Sequence, residues 1–376
     1  MDLPHTRPMN RIRGFATGTK ESAPIFRDQE ALLALGAKSD LLNVDSYLLD
    51  RPELVNMPVQ FDQGSLLHVA AARGHADLAA MLIHQRGAAI NGTNHSQQTS
   101  LHAASEGNYG NIVVELLCAG ADADKRDALK QTPLHRAAHC GSSDAMLALL
   151  DYGASWKLRD EGGLMAIHKA ALMGREEGVR ILLARDPEAV NEEAADGWTP
   201  LHFACHSGHA ATVEVLVTNG ADMKAVDNER MMPLHRAATS GSEAACQVLL
   251  RAGADYMLGD GQRRLPLHLA CEEGCIGVAR LLLEAECPVN ILDGLRRTPL
   301  LIAAQAADMD LCELLLSYGA DPTYSEPSKG VPSPISVARR GATPALRNLL
   351  EEYGREFQAA RLQGDQPVSS SSSTAQ

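Results

Sequence analysis

Thr132-Pro133-Leu134-His135 is repeated letter for letter as Thr199-Pro200-Leu201-His202. Looser copies lie around it: Leu66-Leu67-His68, Ser100-Leu101-His102, Ala166-Ile167-His168, Pro233-Leu234-His235, Pro266-Leu267-His268 and Thr298-Pro299-Leu300-Leu301. The histidines follow one another at 34, 33, 33, 34, 33 and 33 residues, and a further 33 reaches Leu301. A fixed period of this length marks a stack of supersecondary units, none of which can bury its apolar face alone.

Other positions keep the same step. Fourteen and fifteen residues after each marker stands an aliphatic pair, from Leu82-Ile83 through Leu149-Leu150 to Leu315-Leu316. Six residues after it stands Gly74, Gly141, Gly174, Gly208, Gly241 or Gly274, with Asn108 in the second unit and Ala307 in the eighth. The chemistry of one unit follows. Thr supplies an N-cap oxygen, and Pro sits in the first turn, where its missing N–H costs nothing. Alanines two and three residues past the histidine let neighbouring helices approach. Gly closes the first helix in a left-handed conformation. A second helix ends on the aliphatic pair, and Gly-Ala-Asp, as in Gly120-Ala121-Asp122 and Gly253-Ala254-Asp255, turns the chain into a loop.

Thr-Pro-Leu-His followed by Ala-Ala, Gly, Leu-Leu and Gly-Ala-Asp resembles the ankyrin repeat family, in eight units over 64–330. The resemblance implies an all-α solenoid of antiparallel helix pairs with short outward β-hairpin loops. Residues 28–63, with Glu30–Gly36, Leu41–Leu49 and Arg51–Asn56, read as a degenerate N-capping unit, and 331–354 as a shortened C-capping one. Residues 1–27 lack apolar periodicity and are expected to be a disordered arm. The run Ser369–Ser373 makes 355–376 a low-complexity tail, expected to be disordered and open to phosphorylation.

Composition agrees with a stacked array. Hydrophobic residues make up 45% of the 376, but aromatics only 4%, so the core is built from Ala, Leu, Val and Ile. The net charge of −13 disfavours nucleic acid as a partner. No apolar run approaches the roughly 18 residues of a membrane span, and the N-terminus has no apolar stretch of a signal peptide. Eight cysteines without a scaffold pattern are expected to be reduced thiols, which places the protein in the cytoplasm.

Seven periodic histidines invite a metal or catalytic reading. A residue fixed at one place in every repeat serves the repeat, and rungs about 10 Å apart cannot share a metal with bonds of about 2 Å. His268, Cys271 and Cys275 have ligand-like spacing but no second pair nearby. No phosphate loop, nucleophile elbow or metalloprotease motif occurs. The expectation is a chain with no catalytic residue, no metal and no cofactor.

The resemblance implies that partners bind a concave face of loop tips and first helices. By register, that face carries the cations Lys130, Arg136, Lys169, Arg230, Arg236, Arg263, Arg264, Arg296 and Arg297, and an apolar group of Trp198, Phe203, Met231 and Met232. Arg and Trp anchor interfaces. The expected partner is a protein with an acidic segment and one or two apolar anchors, docked across units five to eight. The resemblance also implies that loop asparagines eight residues after a leucine can be hydroxylated. Asn191 and Asn290 match, and Asn91, after Ile83, matches less well. The leading expectation is a non-catalytic interaction scaffold. The alternatives are a substrate adaptor of a ubiquitin ligase and a microbial effector, with an enzyme as the remaining class.

Overall fold

The structure, a computed structural model, describes residues 30–36, 38, 40–59, 64–341 and 343–364, the side chains of 360–364 excepted. The expected arm at 1–27 and the Ser-rich end of the tail lie outside the described residues.

Each unit is a helix pair. They run Leu66–Arg73 and Ala76–His84, Ser100–Glu106 and Gly110–Cys118, Pro133–Cys140 and Ser143–Asp151, and Ala166–Leu172 and Glu176–Arg185. Then come Pro200–His206 and Ala210–Thr218, Pro233–Thr239 and Glu243–Arg251, Pro266–Glu272 and Ile276–Glu284, and Pro299–Ala306 and Met309–Ser317. First helices stack on first helices and second on second, and each pair also closes on itself. The core is one continuous file of small and aliphatic side chains, such as Ala137, Leu149, Ala170, Leu182 and Leu216. Before the first unit a helix over 30–36, Leu41–Asp50 and the 3-10 turn Pro52–Asn56 close the stack.

At the other end Pro334–Gly341 packs on the eighth unit, and Pro344–Gly364 is a single helix. The expectation of disorder from 355 is therefore corrected for 355–364. Leu346 and Leu350 are buried, and Gly354 lets the helix lie against Ile335 (a Cβ there would stand 2.7 Å from its Cδ1), so the helix is already nucleated when it leaves the core.

The histidine explains the repeat. In the third unit the backbone N–H of Thr132 donates to His135 Nδ1 at 3.2 Å, so the ring proton sits on Nε2. Nε2 then donates to the carbonyl of Leu164 in the next unit at 3.0 Å. The same link runs from His68 to Gln98, His102 to Gln131, His168 to Glu192, His202 to Met231, His235 to Arg264 and His268 to Ile291. Each ring caps its own helix and pins it to the following loop. Leu301 can make no such bond, and only the Thr298 hydroxyl caps that helix, accepting from Leu301 N at 3.1 Å.

The loops touch one another without forming regular strands. Among the described residues the β features are two isolated bridges, Thr93 with Thr99 and Glu326 with Val331. Adjacent loops are joined by single backbone bonds: Ala128 to Ser96, Glu161 to Leu129, Asn228 to Asp196 and Gly294 to Gln262, at 2.9 to 3.1 Å.

Candidate partner-binding face

The loops and first helices form one edge of the stack, and a buried aspartate organises it. Asp127, Asp160, Asp227 and Asp260 stand eight residues before their histidines, Asp293 eight before Leu301, and all five are at most 8% exposed. One carboxylate oxygen accepts two N–H groups of its own loop. Asp227 Oδ1 takes those of Glu229 and Met231, both at 2.9 Å, and Asp127, Asp160, Asp260 and Asp293 do the same in their loops. The other oxygen binds a cation. Lys169 Nζ reaches Asp160 at 2.8 Å, Arg236 Nε reaches Asp227 at 2.8 Å, and Arg136 stands 3.5 Å from Asp127. In the seventh and eighth units the cation comes from the loop itself, as Arg264 on Asp260 at 2.7 Å and Arg297 on Asp293 at 2.8 Å. Glu272 then bridges the two arginines at 2.8 and 2.7 Å. Arg296 pairs with Glu326 at 2.8 Å, and with Lys329 it holds that carboxyl down at about 2.

The expected basic ridge is corrected accordingly. Arg136, Lys169, Arg236, Arg264 and Arg297 are structural counter-ions of buried aspartates, and Arg296 is paired as well. Lys130, Arg230 and Arg263 are exposed and form no ion pair among the described residues. Sequence reasoning placed the cations and overlooked the aspartates, although the period carries them in five of the eight units.

The apolar group changes in the same way. Phe203, Met231 and Met232 are 8%, 6% and 3% exposed and belong to the core, not the surface. The fifth unit has Ala194 in place of the aspartate and Phe203 in place of the cation, so an apolar contact replaces an ion pair. Trp198 is half-buried. Phe203 and His206 stand 5.0 and 5.2 Å from its ring, and the Arg236 guanidinium lies over it at 4.5 Å. Burial and the neighbouring Arg236 charge lower the pKa of His206.

Asn191 and Asn290 are exposed, but both amides are engaged between units. Asn290 Nδ2 donates to Gly319 O at 3.0 Å and its Oδ1 accepts from Asp321 N at 2.8 Å. Asn191 spans Gly220 and Asp222 in the same way.

Apart from Lys130, Arg230 and Arg263, the titratable groups described for this edge are engaged in the repeat's own contacts or buried. Burial lowers the pKa of His102, His135, His168, His202, His235 and His268 and keeps their rings neutral, with His102 and His168 lowered to about 4. Burial pushes the thiols of Cys246, Cys287 and Cys312 up to about 12, and all eight cysteines are free. Among the described residues no three His, Cys, Asp or Glu side chains cluster as metal ligands, and no helix is long and apolar enough to cross a membrane.

Comparison with known proteins agrees with this architecture. The family model for ankyrin repeats (3 copies) matches at 33–127, 101–191, 185–260 and 258–326. The crystal structure of the human ASB11 ankyrin repeat domain is similar with a TM-score of 0.54 and 30% identity, over 59% of this chain and 98% of that one. A protein of Oryza sativa subsp. japonica named "Probable E3 ubiquitin-protein ligase XBOS32" is 30% identical over 212 residues, 56% of this chain and 42% of its own length. The serine/threonine-protein kinase TNNI3K of Mus musculus is 44% identical over 48 residues, 13% of this chain and 6% of its own. The chain thus spans less than half the length of these curated relatives. Repeats of this kind form protein-interaction domains. With the family model covering most of the helix pairs described above, the chain belongs to the ankyrin repeat family.

Proposed function

We propose that the chain is a non-catalytic, cytoplasmic scaffold that binds a protein partner on its loop-tip and first-helix edge across units five to eight. The observation that carries this is Trp198. It is a large ring left half-exposed beside Phe203, Met231 and Met232, which are buried, and a stacked arginine holds it in place. Preorganised Trp and Arg side chains lose little entropy on binding and anchor interfaces. The free thiols suit a reducing compartment. In this reading Asn191 and Asn290 brace the loops that present the face, and the array proper extends from 64 to 330 between its two caps.

A photo-crosslinking residue at position 198 tests the reading against one at Leu147, an exposed second-helix position on another surface. In an extract of the source cells, position 198 is expected to trap a discrete partner and position 147 is not. Equal trapping at both sites, or none at either, defeats the proposal.

The likeness to the rice ligase favours a second reading, in which the same face selects substrates for ubiquitin transfer. Ubiquitin-ligase components among the products crosslinked at 198 would support it.

A further inference from the structure

The residue three positions after the loop aspartate adopts a left-handed conformation in every described unit with this turn. Gly163 and Gly197 meet that demand with φ of 75 and 79°. Arg230 and Arg263 stand at the same place with φ of 60 and 59°. An L-residue is strained there and glycine is not, so two units show that glycine fits where the sixth, seventh and eighth keep arginine, the last of them paired with Glu326, and where the second and third hold Gln97 and Lys130. Neither Arg230 nor Arg263 is used internally. Both are exposed and form no ion pair among the described residues, and the neighbouring Glu229 is committed to Arg236 at 3.1 Å.

Between them lies a cavity of about 500 Å³, lined by Arg230, Arg263, Met257, Leu265 and Ile291, with the carboxylate of Asp260 in its wall already neutralised by Arg264. Around it the loops expose apolar side chains without cover: Leu258 is 40% exposed, Met257 46%, Val226 50% and Leu295 62%. The corresponding loop of the fifth unit offers Glu192 and Glu193 instead, so this mixture belongs to the sixth to eighth units.

Spacing selects the occupant. The two arginines are one unit apart, and stacked helices lie about 8–10 Å from one another. A polyproline II segment repeats every three residues, about 9.3 Å, and places residues i and i+3 on one side. We infer that Arg230 and Arg263 form a two-pronged clamp for an extended acidic segment with carboxylates at every third position and apolar side chains between them. This rests on the protein-binding reading above and moves its acidic contact from the helices to the loop edge. Charge complementarity favours a peptide over an anionic bilayer: the prongs flank a cavity, not a plane, and the −13 net charge opposes approach to a whole anionic surface.

The test uses the full chain and a fluorescein-labelled (Glu-Pro-Leu)4 peptide, read by fluorescence anisotropy. A peptide of equal composition with its four glutamates in one block is the control. The variant is R230G/R263G, which relieves strain and is expected to unfold no earlier than the wild type. The wild type should bind the periodic peptide saturably, the blocked peptide about fivefold more weakly, and the variant should lose at least about tenfold in affinity. Retention of affinity within about twofold by the variant overturns the clamp, as does absence of binding to the wild type. Sedimentation of the wild type, but not the variant, with phosphatidylserine-containing vesicles would assign the arginines to a membrane and equally overturn it. A partner that crosslinks at position 198 while the peptide ignores both arginines would defeat this inference and leave the broader reading standing.

Discussion

Replacing Asp227 by alanine removes four bonds at once, two from loop N–H groups and two from the Arg236 guanidinium. The side chain is fully buried and its partner Arg236 only 12% exposed, so the interior screens their interaction little. Asp227 Oδ1 also serves the N–H groups of Glu229 and Met231. Stranding one member of a buried pair costs about 3–5 kcal/mol. Arg236 keeps Glu229 at 3.1 Å and the Trp198 ring, which favours the low end, near 3 kcal/mol. The orphaned N–H of buried Met231 adds about 1 kcal/mol.

The chain supplies its own controls. In the second unit Asn94 replaces the aspartate and still accepts Gln98 N at 2.9 Å, while Ala103 replaces the cation. In the fifth unit Ala194 and Phe203 replace both. Asp227→Asn therefore keeps the loop bonds and should lose about 2 kcal/mol, most of which D227N/R236A should recover. D227A/R236F should recover the arginine's share and leave about 1–2 kcal/mol for the loop N–H groups. Urea unfolding followed by far-UV circular dichroism at pH 7 gives the cycle, and amide exchange over Pro233–Thr239 localises it. Loss of the Arg236 stack should also shift the fluorescence of Trp198. A cost below about 1 kcal/mol for Asp227→Ala, or coupling energies within about 0.5 kcal/mol of zero, would refute the argument.

Two further outcomes follow from the repeat chemistry. Burial lowers the pKa of His102, His135, His168, His202, His235 and His268 below the ordinary 6.5, two of them to about 4. The unfolded chain thus binds more protons below 6.5, so stability is complete above that pH and falls as pH drops toward 4. The slope is up to about 1.4 kcal/mol per pH unit for each histidine exposed, and urea midpoints that stay flat from pH 7 to 5 would contradict it. In the eighth unit Ala307 holds φ at 56° where six others place glycine. Ala307→Gly should stabilise the last units by up to about 1 kcal/mol, read as greater exchange protection over Pro299–Ser317, whose wild-type protection should be below that of Pro133–Asp151.

The fold was legible because the period repeats its backbone requirements. Pro at the helix start, Gly at the left-handed turn and histidine at the cap recur at fixed offsets, and the helix pairs follow them. The surface was less legible because register gives a side chain's place without its partner. Arg236, Arg264 and Arg297 fall on the exposed edge by counting, yet each is drawn down onto an aspartate that the same counting would have found. Phe203 looked like an anchor because its place in other units holds a cation. Only beside Ala194 does it read as half of a substitution that removed both charges together.

That paired substitution shows what the aspartate requires. In units three, four and six the cation comes from the first helix, nine residues on. In units seven and eight it comes from the loop, four residues on, and Leu269 and Ile302 fill the vacated helix positions at 2% and 4% exposure. The fixed quantity is therefore charge balance at the loop base. Where the balancing charge is moved off the helix, the first-helix face becomes apolar and the loop gains an arginine already spent on its aspartate. An arginine one position earlier has no aspartate to meet. Lys130, Arg230 and Arg263 occupy that place in the third, sixth and seventh units and form no ion pair among the described residues, and of these the adjacent pair Arg230 and Arg263 is the positive charge left to meet a partner across units six and seven.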